Sequence, residues 1–271
     1  MAPAAEPGGS PAKVVLLDIE GTVCSISFVK DILFPYALET LPKTLSAEWD
    51  DPKFVPYREA FPPEHAATPE ALISHVRDLT ERDVKAPYLK SLQGYLWESG
   101  YRSGALRAKL FPDVAPRLAA WRGQGVDLVV YSSGSVAAQK LLFAHTTDGD
   151  LTPRFAGYFD TVNAGPKTEA ASYTRIASQY ADRYEPADWL FLSDNVREVE
   201  AAKEAGMRSV VVQRPGNAPL PTEVADKHRV IQDFDELEQR RRNPRRRVRS
   251  EETRSKETSP PRKKRSKRTR T

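Results

Sequence analysis

Short apolar runs recur along the chain, and most of them lead into a helical pattern of apolar residues. Four of these runs predict buried strands, at residues 14–17, 126–131, 190–192 and 209–212. Three of them are followed at once by helical spacing, which is the signal of strand-helix-strand units in a parallel sheet. The pattern therefore predicts an α/β fold.

Capping residues mark the ends of several predicted helices. Ser135 precedes the helical pattern after the second strand, and Gly206 closes the pattern after the third. Thr68 and Pro69 predict an N-cap and a first helical position within the segment between the first two strands.

That segment is far longer than one crossover needs, because Ser132 follows Asp18 by 114 positions. One of its helical patterns places three leucines on one face: Leu89, Leu92 and Leu96. The polar, proline-rich stretch 49–69 predicts a loop. We expect a mostly helical insertion.

These patterns divide the chain into four regions. Residues 1–12 are predicted to be a disordered lead, residues 13–24 and 111–239 an α/β catalytic core, residues 25–110 the helical insertion, and residues 240–271 a basic disordered tail.

The tail dominates the charge of the chain. Residues 240–271 hold 16 Lys and Arg against three Glu, a net charge of +13. Since the net charge of the whole chain is +4, residues 1–239 carry a net charge of −9. With so few apolar residues the tail cannot offset the entropy of ordering. Its stretch PPRKKRSKR is typical of a nuclear-import signal or a nucleic-acid-binding patch, and a solvated tail without a specific partner is the alternative.

Cysteine and hydropathy bear on the compartment. The single cysteine, Cys24, excludes an intramolecular disulfide and favours a reducing compartment. No run approaches the roughly 18 uncharged residues of a membrane-spanning helix, and the N-terminus lacks the features of a signal peptide. We predict that the protein is located in the cytoplasm and nucleus, with no membrane association.

Cys24 itself is expected to be a small buried residue, and the four histidines lack the spacing of a zinc site.

Polar residues follow the predicted strands, where open α/β sheets bind ligands. They form four clusters along the sequence: Asp18 with Glu20, Ser132 with Ser133, Lys167, and Asp194. Each cluster alone has a structural explanation, since the aspartates and serines are common caps and Lys167 could be a solvated loop lysine.

Together these residues indicate phosphoryl transfer. Two aspartates that converge from parallel strands repel each other unless a divalent ion lies between them, and oxygen ligands suit Mg²⁺. An aspartate can attack phosphorus, while Ser132, the backbone N–H groups after it and Lys167 can neutralise the phosphate oxygens. Glu20 is placed to move a proton, for which its pKa should lie above the usual value.

The same residues, in the same order, resemble a known family. DIEGT, YSSGS, the lysine of GPKTEAASY and LSDNVRE resemble the haloacid dehalogenase superfamily of aspartate-nucleophile phosphatases, whose usual first motif has Asp in place of Glu20. With that glutamate, and with FVKDILFPYA, LQGYLWESGY and RPGN, residues 14–237 are similar to the enolase-phosphatases of methionine salvage, also called acireductone synthases. The resemblance implies a Rossmann-like parallel-sheet core of the haloacid dehalogenase type, with the insertion as a mostly helical cap.

The resemblance also implies an activity: enolisation of 5-methylthio-2,3-dioxopentyl phosphate, then its hydrolysis to acireductone and phosphate. Asp18 is then the nucleophile, Glu20 the proton shuttle, and Asp18, Glu20 and Asp194 the ligands of one Mg²⁺ per subunit. The substrate phosphate is expected on three residues: Ser132, Ser133 and Lys167. The family is expected to be monomeric, with a cap that selects the methylthio end.

Three points stay open at the level of sequence. The chain could instead be a Mg²⁺ phosphatase of the same superfamily that acts on another small phosphate ester. It could also be a nucleic-acid-associated protein that works through its basic tail. Glu198 could orient the metal shell through water, or pair on the surface with Lys203 or Arg197.

Overall fold

The computed structural model describes residues 11–238, which contain six β-strands. Their bounds are Val14–Leu17 (β1), Asp127–Tyr131 (β2), Gly157–Phe159 (β3), Trp189–Ser193 (β4), Arg208–Val212 (β5) and Val230–Ile231 (β6). All pairs are parallel, in the order β3-β2-β1-β4-β5-β6. The predicted α/β fold with a parallel sheet is confirmed.

Strand β1 lies in the middle of the sheet and is buried on both faces. Its four residues are at most 1 % exposed, which is why it reads as a continuous apolar run. Leu17 is level with Val130 of β2 and with Leu192 of β4. The residues that follow these three strands therefore meet at one edge of the sheet.

Ten α-helices connect the strands of the described chain. Six precede β2: Phe34–Glu48 (α1), Val55–Glu59 (α2), Pro63–Ala66 (α3), Pro69–Glu81 (α4), Pro87–Ser103 (α5) and Val114–Gly123 (α6). Four follow it: Val136–Ala144 (α7), Ala170–Ser178 (α8), Val196–Glu204 (α9) and Thr222–Lys227 (α10).

The predicted helix ends agree with the structure at three points. The Ser135 side chain accepts a hydrogen bond from the Ala138 N–H at 3.2 Å and caps α7. Gly206 follows α9 with φ +85°, a left-handed conformation that glycine adopts without a steric penalty. Thr68 caps α4 in the same way as Ser135 caps α7.

Between β1 and α6 the chain is mostly helical, as predicted. A π-helical turn, Val29–Leu33, leads into α1, and the Trp97 indole of α5 donates to the Leu33 carbonyl at 2.8 Å. The predicted loop at residues 49–69 is wrong in part, because α2 and α3 lie within it. Both short helices carry a proline in their first turn, where its fixed φ favours helix formation.

The structure tests only part of the predicted chain organisation. Among the described residues, 11–233 belong to one unit and 234–238 to another. The predicted lead, apart from Pro11 and Ala12, and the basic tail lie outside the described residues. The division into core and cap at the stated residues stays a prediction. Among residues 11–238 no helix is long and apolar enough to cross a membrane.

Candidate active site

Asp18 is the first residue after β1 and lies at the edge where the central strands end. Its N–H donates to the Leu192 carbonyl at 3.0 Å, and the residue is 4 % exposed. The chain then turns sharply, because the N–H groups of Thr22, Val23 and Cys24 all point to the Ile19 carbonyl. The turn keeps Glu20, which is half-buried, on the wall of the same cavity as Asp18.

Gly21 is required at this turn by both conformation and space. Its φ is +73°, and a Cβ there would lie 2.3 Å from Asp194 Oδ2 and 3.2 Å from Asn217 Oδ1. The Asn217 amide donates to the Gly21 carbonyl at 2.9 Å and fixes the turn. The absence of a side chain at Gly21 therefore lets Asp194 approach the end of β1.

Lys167 is buried among carboxylates. Its ammonium lies 2.5 Å from Asp18 Oδ1 and 2.7 Å from Glu198 Oε2, and each of the three side chains is at most 10 % exposed. Burial alone would lower the pKa of Lys167, but the charges of Asp18 and Glu198 raise it above its usual value. The lysine is therefore a permanent cation against the nucleophile predicted from the sequence.

Backbone contacts hold the Lys167 loop in place. The Tyr173 hydroxyl donates to the Lys167 carbonyl at 2.7 Å, and the Tyr131 hydroxyl donates to the Gly165 carbonyl at 2.7 Å. Both tyrosines belong to the buried cluster beneath the sheet. The core thus fixes the position of the ammonium.

Glu198 is buried in the site and does not lie on the surface. It pairs with Lys167 and accepts from the Ser193 hydroxyl at 2.9 Å, and its role toward a metal shell stays a prediction. The surface-pair alternative is therefore wrong. Burial, then the charge of Asp18, raises the pKa of Glu198.

Asp194 follows β4, and the sequence alternative that it caps the next helix is also wrong. The cap of α9 is Asn195, whose side chain accepts from the Arg197 N–H at 3.0 Å. The Asp194 carboxyl is left to face the cavity. Burial and the charge of Asp18 raise the pKa of Asp194 to about 7.

Glu20 shares this electrostatic environment. Burial, followed by the charge of Asp18, raises the pKa of Glu20, in the direction predicted for a proton shuttle. One ammonium thus faces four carboxyl groups: Asp18, Glu20, Asp194 and Glu198. The four carboxyl groups can therefore carry more negative charge than the single positive charge of Lys167 neutralises.

The donor set fits a hard cation such as Mg²⁺. Asn217 Oδ1 is buried and has no hydrogen-bond partner among the described residues, and it flanks the same Gly21 gap as Asp194. Oxygen groups with excess negative charge suit Mg²⁺, which uses one or two carboxylates and fills its shell with water and phosphate oxygens. Within residues 11–238 no three His, Cys, Asp or Glu side chains converge as a metal centre, so the ligand set stays a prediction.

The loop after β2 supplies hydrogen-bond donors. Ser132 is 1 % exposed; its hydroxyl donates to Glu20 Oε2 at 3.4 Å and accepts from the Gly134 N–H at 3.2 Å. Ser133 is exposed and lines the cavity. Lys90, on α5, donates to the Ser133 carbonyl at 3.2 Å and brings a second cation to this loop.

A cavity of about 730 Å³ joins these groups to the helices between β1 and α6. Its polar end contains all six residues predicted from the sequence: Asp18, Glu20, Ser132, Ser133, Lys167 and Asp194. The rest of its lining mixes apolar residues with charged ones such as Lys30, Glu81 and Lys85; the apolar residues include Leu33, Phe34, Leu89 and Trp97. The shape suits a small molecule with a charged head and an apolar tail.

Known proteins resemble the chain over nearly all of the described residues. The model of the haloacid dehalogenase-like hydrolase family matches residues 12–206. An enolase-phosphatase E1 from Pyricularia oryzae is 65 % identical over 84 % of this chain and 99 % of the relative. The chain belongs to the haloacid dehalogenase-like hydrolases, within the enolase-phosphatase E1 family.

Further comparisons agree with this membership. The enolase-phosphatase E1 from Neurospora crassa is 63 % identical over 84 % of this chain and 98 % of the relative. The crystal structure of the UTR4 protein from Saccharomyces cerevisiae matches with a TM-score of 0.73 and 38 % identity, over 83 % of this chain and 99 % of that one. The expected haloacid dehalogenase-type fold is thus confirmed.

Some features of this enolase-phosphatase family member were not found from the sequence. Lys90, Gln93 and Asn217 line or brace the site, but each stands in an ordinary helical or loop pattern. The family motif LQGYLWESGY contains Gln93 and the motif RPGN contains Asn217, whereas Lys90 lies in neither. Cys24, by contrast, is buried as expected, and burial raises the pKa of its thiol.

Proposed function

We propose that this chain is an enolase-phosphatase that converts 5-methylthio-2,3-dioxopentyl phosphate into acireductone and phosphate in L-methionine salvage. The observation that carries the proposal is Asp18, buried against Lys167 at one end of a cavity that also holds apolar side chains such as Phe34 and Trp97. The enolase-phosphatase E1 relatives, at up to 65 % identity in the matches given above, support the same activity.

The enolisation needs a base beside the carbon that bears the phosphate. Glu20 takes a proton from C1, the C1–H electron pair forms the C1–C2 double bond, and the C2 carbonyl oxygen receives a proton. Burial and the charge of Asp18 raise the pKa of Glu20, which makes the carboxylate a stronger base than an ordinary glutamate.

The phosphoryl transfer then uses Asp18. Its carboxylate forms a bond to phosphorus, the bond from phosphorus to the C1 oxygen breaks, and that oxygen takes a proton to give the enediol. Water next attacks phosphorus and releases phosphate and Asp18. Ser132, Ser133 and Lys167 are the proposed phosphate contacts, and Lys167 also holds Asp18 in position.

We propose that Asp18, Glu20 and Asp194 would hold one Mg²⁺ per subunit. The ion supplies positive charge to the phosphate oxygens when bound. Besides burial, the charge of Asp18 raises the pKa values of Glu20 and Asp194, and a divalent cation relieves this repulsion.

Substrate comparison tests the proposal. Wild-type enzyme with Mg²⁺ is expected to prefer the diketone phosphate to p-nitrophenyl phosphate by orders of magnitude in kcat/KM, and EDTA is expected to abolish both activities. A preference for unrelated esters would instead support the alternative, a Mg²⁺ phosphatase acting on another small phosphate ester.

The predictions of oligomeric state, location and partners rest on the sequence and on the family. We infer a monomer in cytoplasm and nucleus, with a small-molecule phosphate as substrate. Binding of a nuclear-import receptor or nucleic acid through residues 240–271 falls on a segment outside the described residues, so it remains a prediction.

A further inference from the structure

Gln93 is a buried polar side chain whose carboxamide is left unpaired. The residue lies on α5, is 4 % exposed and lines the active-site cavity. Among residues 11–238 it has no side-chain hydrogen bond. An amide that lines a binding cavity without a protein partner can hydrogen-bond a ligand held there.

Two other polar side chains on the cavity wall donate to backbone carbonyls. Gln139, also buried, donates to the Gly134 and Phe159 carbonyls at 2.8 and 2.7 Å. The Trp97 indole donates to Leu33. Gln139 keeps an unpaired Oε1, whereas the Gln93 amide nitrogen donates to no group within residues 11–238 and is available to a ligand.

The position of Gln93 along α5 identifies what it faces. Lys90 contacts the Ser133 carbonyl, so this point of the helix is at the phosphate-binding loop. At 1.5 Å per residue, Gln93 lies about 4.5 Å and Trp97 about 10 Å farther along the helix axis. All three line the cavity.

The proposed substrate has its groups in the same order. The phosphate ester at C1 is followed by carbonyls at C2 and C3 and, at the far end, by a thioether. The Trp97 ring suits the thioether, since sulfur contacts aromatic rings favourably. A substrate bound with its phosphate near Lys90 and its thioether near Trp97 would have its vicinal carbonyl oxygens at the level of Gln93.

We propose that Gln93 is a specificity-determining residue that hydrogen-bonds the C2 and C3 oxygens of the substrate; this inference rests on the proposed function. Its Nε2 carries two hydrogens, one for the C3 carbonyl oxygen and one for the C2 carbonyl oxygen. The donated bond strengthens as charge develops on that oxygen during enolisation, so it lowers the barrier as well as binding the substrate. Gln93 forms no covalent bond and exchanges no proton.

The test compares Gln93→Met, which keeps the length of the side chain and removes the amide, with wild-type enzyme. We expect kcat/KM for the diketone phosphate to fall by about 10- to 100-fold. Hydrolysis of p-nitrophenyl phosphate, which has no carbonyl groups, should stay within about twofold. Gln179→Met, the same change at an exposed position, should alter neither activity.

The outcomes distinguish a failure of the role of Gln93 from a failure of the proposed function. An unchanged rate on the diketone phosphate, or an equal fall on both substrates, overturns the role of Gln93 while the proposed function stands. A wild-type enzyme that does not act on the diketone phosphate overturns both. If Gln93→Met does not fold, Gln93→Glu keeps the shape and one acceptor but loses the amide donor, and the same selective loss is expected of it.

Discussion

At the scale of single residues, Lys167 decides the electrostatics of the site. It is the cation in direct contact with Asp18 and Glu198, and all three side chains are buried. A sequence shows the lysine but not its partner, because 149 positions separate Lys167 from Asp18. The six candidate residues were therefore predictable as a group, whereas the ion pairs that link them were not.

Lys167→Met should destabilise the metal-free protein. Removal of one partner from a buried ion pair leaves uncompensated carboxylates, and the free energy of unfolding should fall by roughly 3–5 kcal/mol. Denaturant unfolding in EDTA measures this. With Mg²⁺ added the loss should be smaller, because the cation replaces part of the missing charge; a loss unchanged by Mg²⁺ would contradict the proposed metal site.

Gly21→Ala should damage the site more than an ordinary glycine substitution. A left-handed φ for alanine costs about 1–2 kcal/mol on its own. The added Cβ would also collide with the Asp194 carboxyl, so phosphatase activity should fall at least about tenfold. Gly125→Ala is the matched control, since φ is +78° and no atom lies within 4 Å of its Cβ position. Equal effects on activity in the two variants would contradict the close approach at Gly21.

At the scale of elements, hydrophobic pattern predicted the central strands and failed at the edges. Strands β3 and β6 have three and two residues, too few for a run to stand out from its surroundings. Helices α2 and α3 were hidden in the polar stretch 49–69, where proline was interpreted as a loop former although it begins helices equally well.

The start of β2 offers a test of element-level stability. Burial alone would raise the pKa of Asp127, but hydrogen bonds from Tyr184 and Arg122, with the charges of Arg122 and Arg183, lower it. A lowered pKa stabilises the fold at pH values above the unfolded pKa of about 3.9 and loses that contribution as pH falls through the folded pKa.

Asp127→Asn should therefore reduce the free energy of unfolding by about 1–2 kcal/mol at pH 7. The difference from wild type should shrink as the pH is lowered below about 4. Chemical denaturation as a function of pH measures both quantities. Asp182→Asn, at an exposed carboxylate, is the control; a difference for Asp127→Asn that is constant down to the lowest accessible pH would count against the charged network.

At the scale of the whole molecule, acidic and basic regions are separate along the sequence. Every residue proposed for catalysis or substrate binding precedes position 239, and residues 240–271 carry the net positive charge. The two parts are expected to act independently.

Deletion of residues 240–271 should leave kcat/KM for the diketone phosphate within about twofold. Any binding of RNA or DNA by the full chain should be lost with the tail and should weaken steeply with salt. Loss of catalysis in the shortened chain would contradict the separation.

The most direct test of the central claim is a paired assay of wild-type enzyme and Asp18→Asn on the diketone phosphate with Mg²⁺. Phosphate release and the ultraviolet absorption of the enediol are recorded together, with Asp182→Asn as the matched control. The account predicts both signals for wild type and the control, and no phosphate release for Asp18→Asn. Phosphate release by Asp18→Asn at the wild-type rate would contradict the assignment of Asp18 as nucleophile.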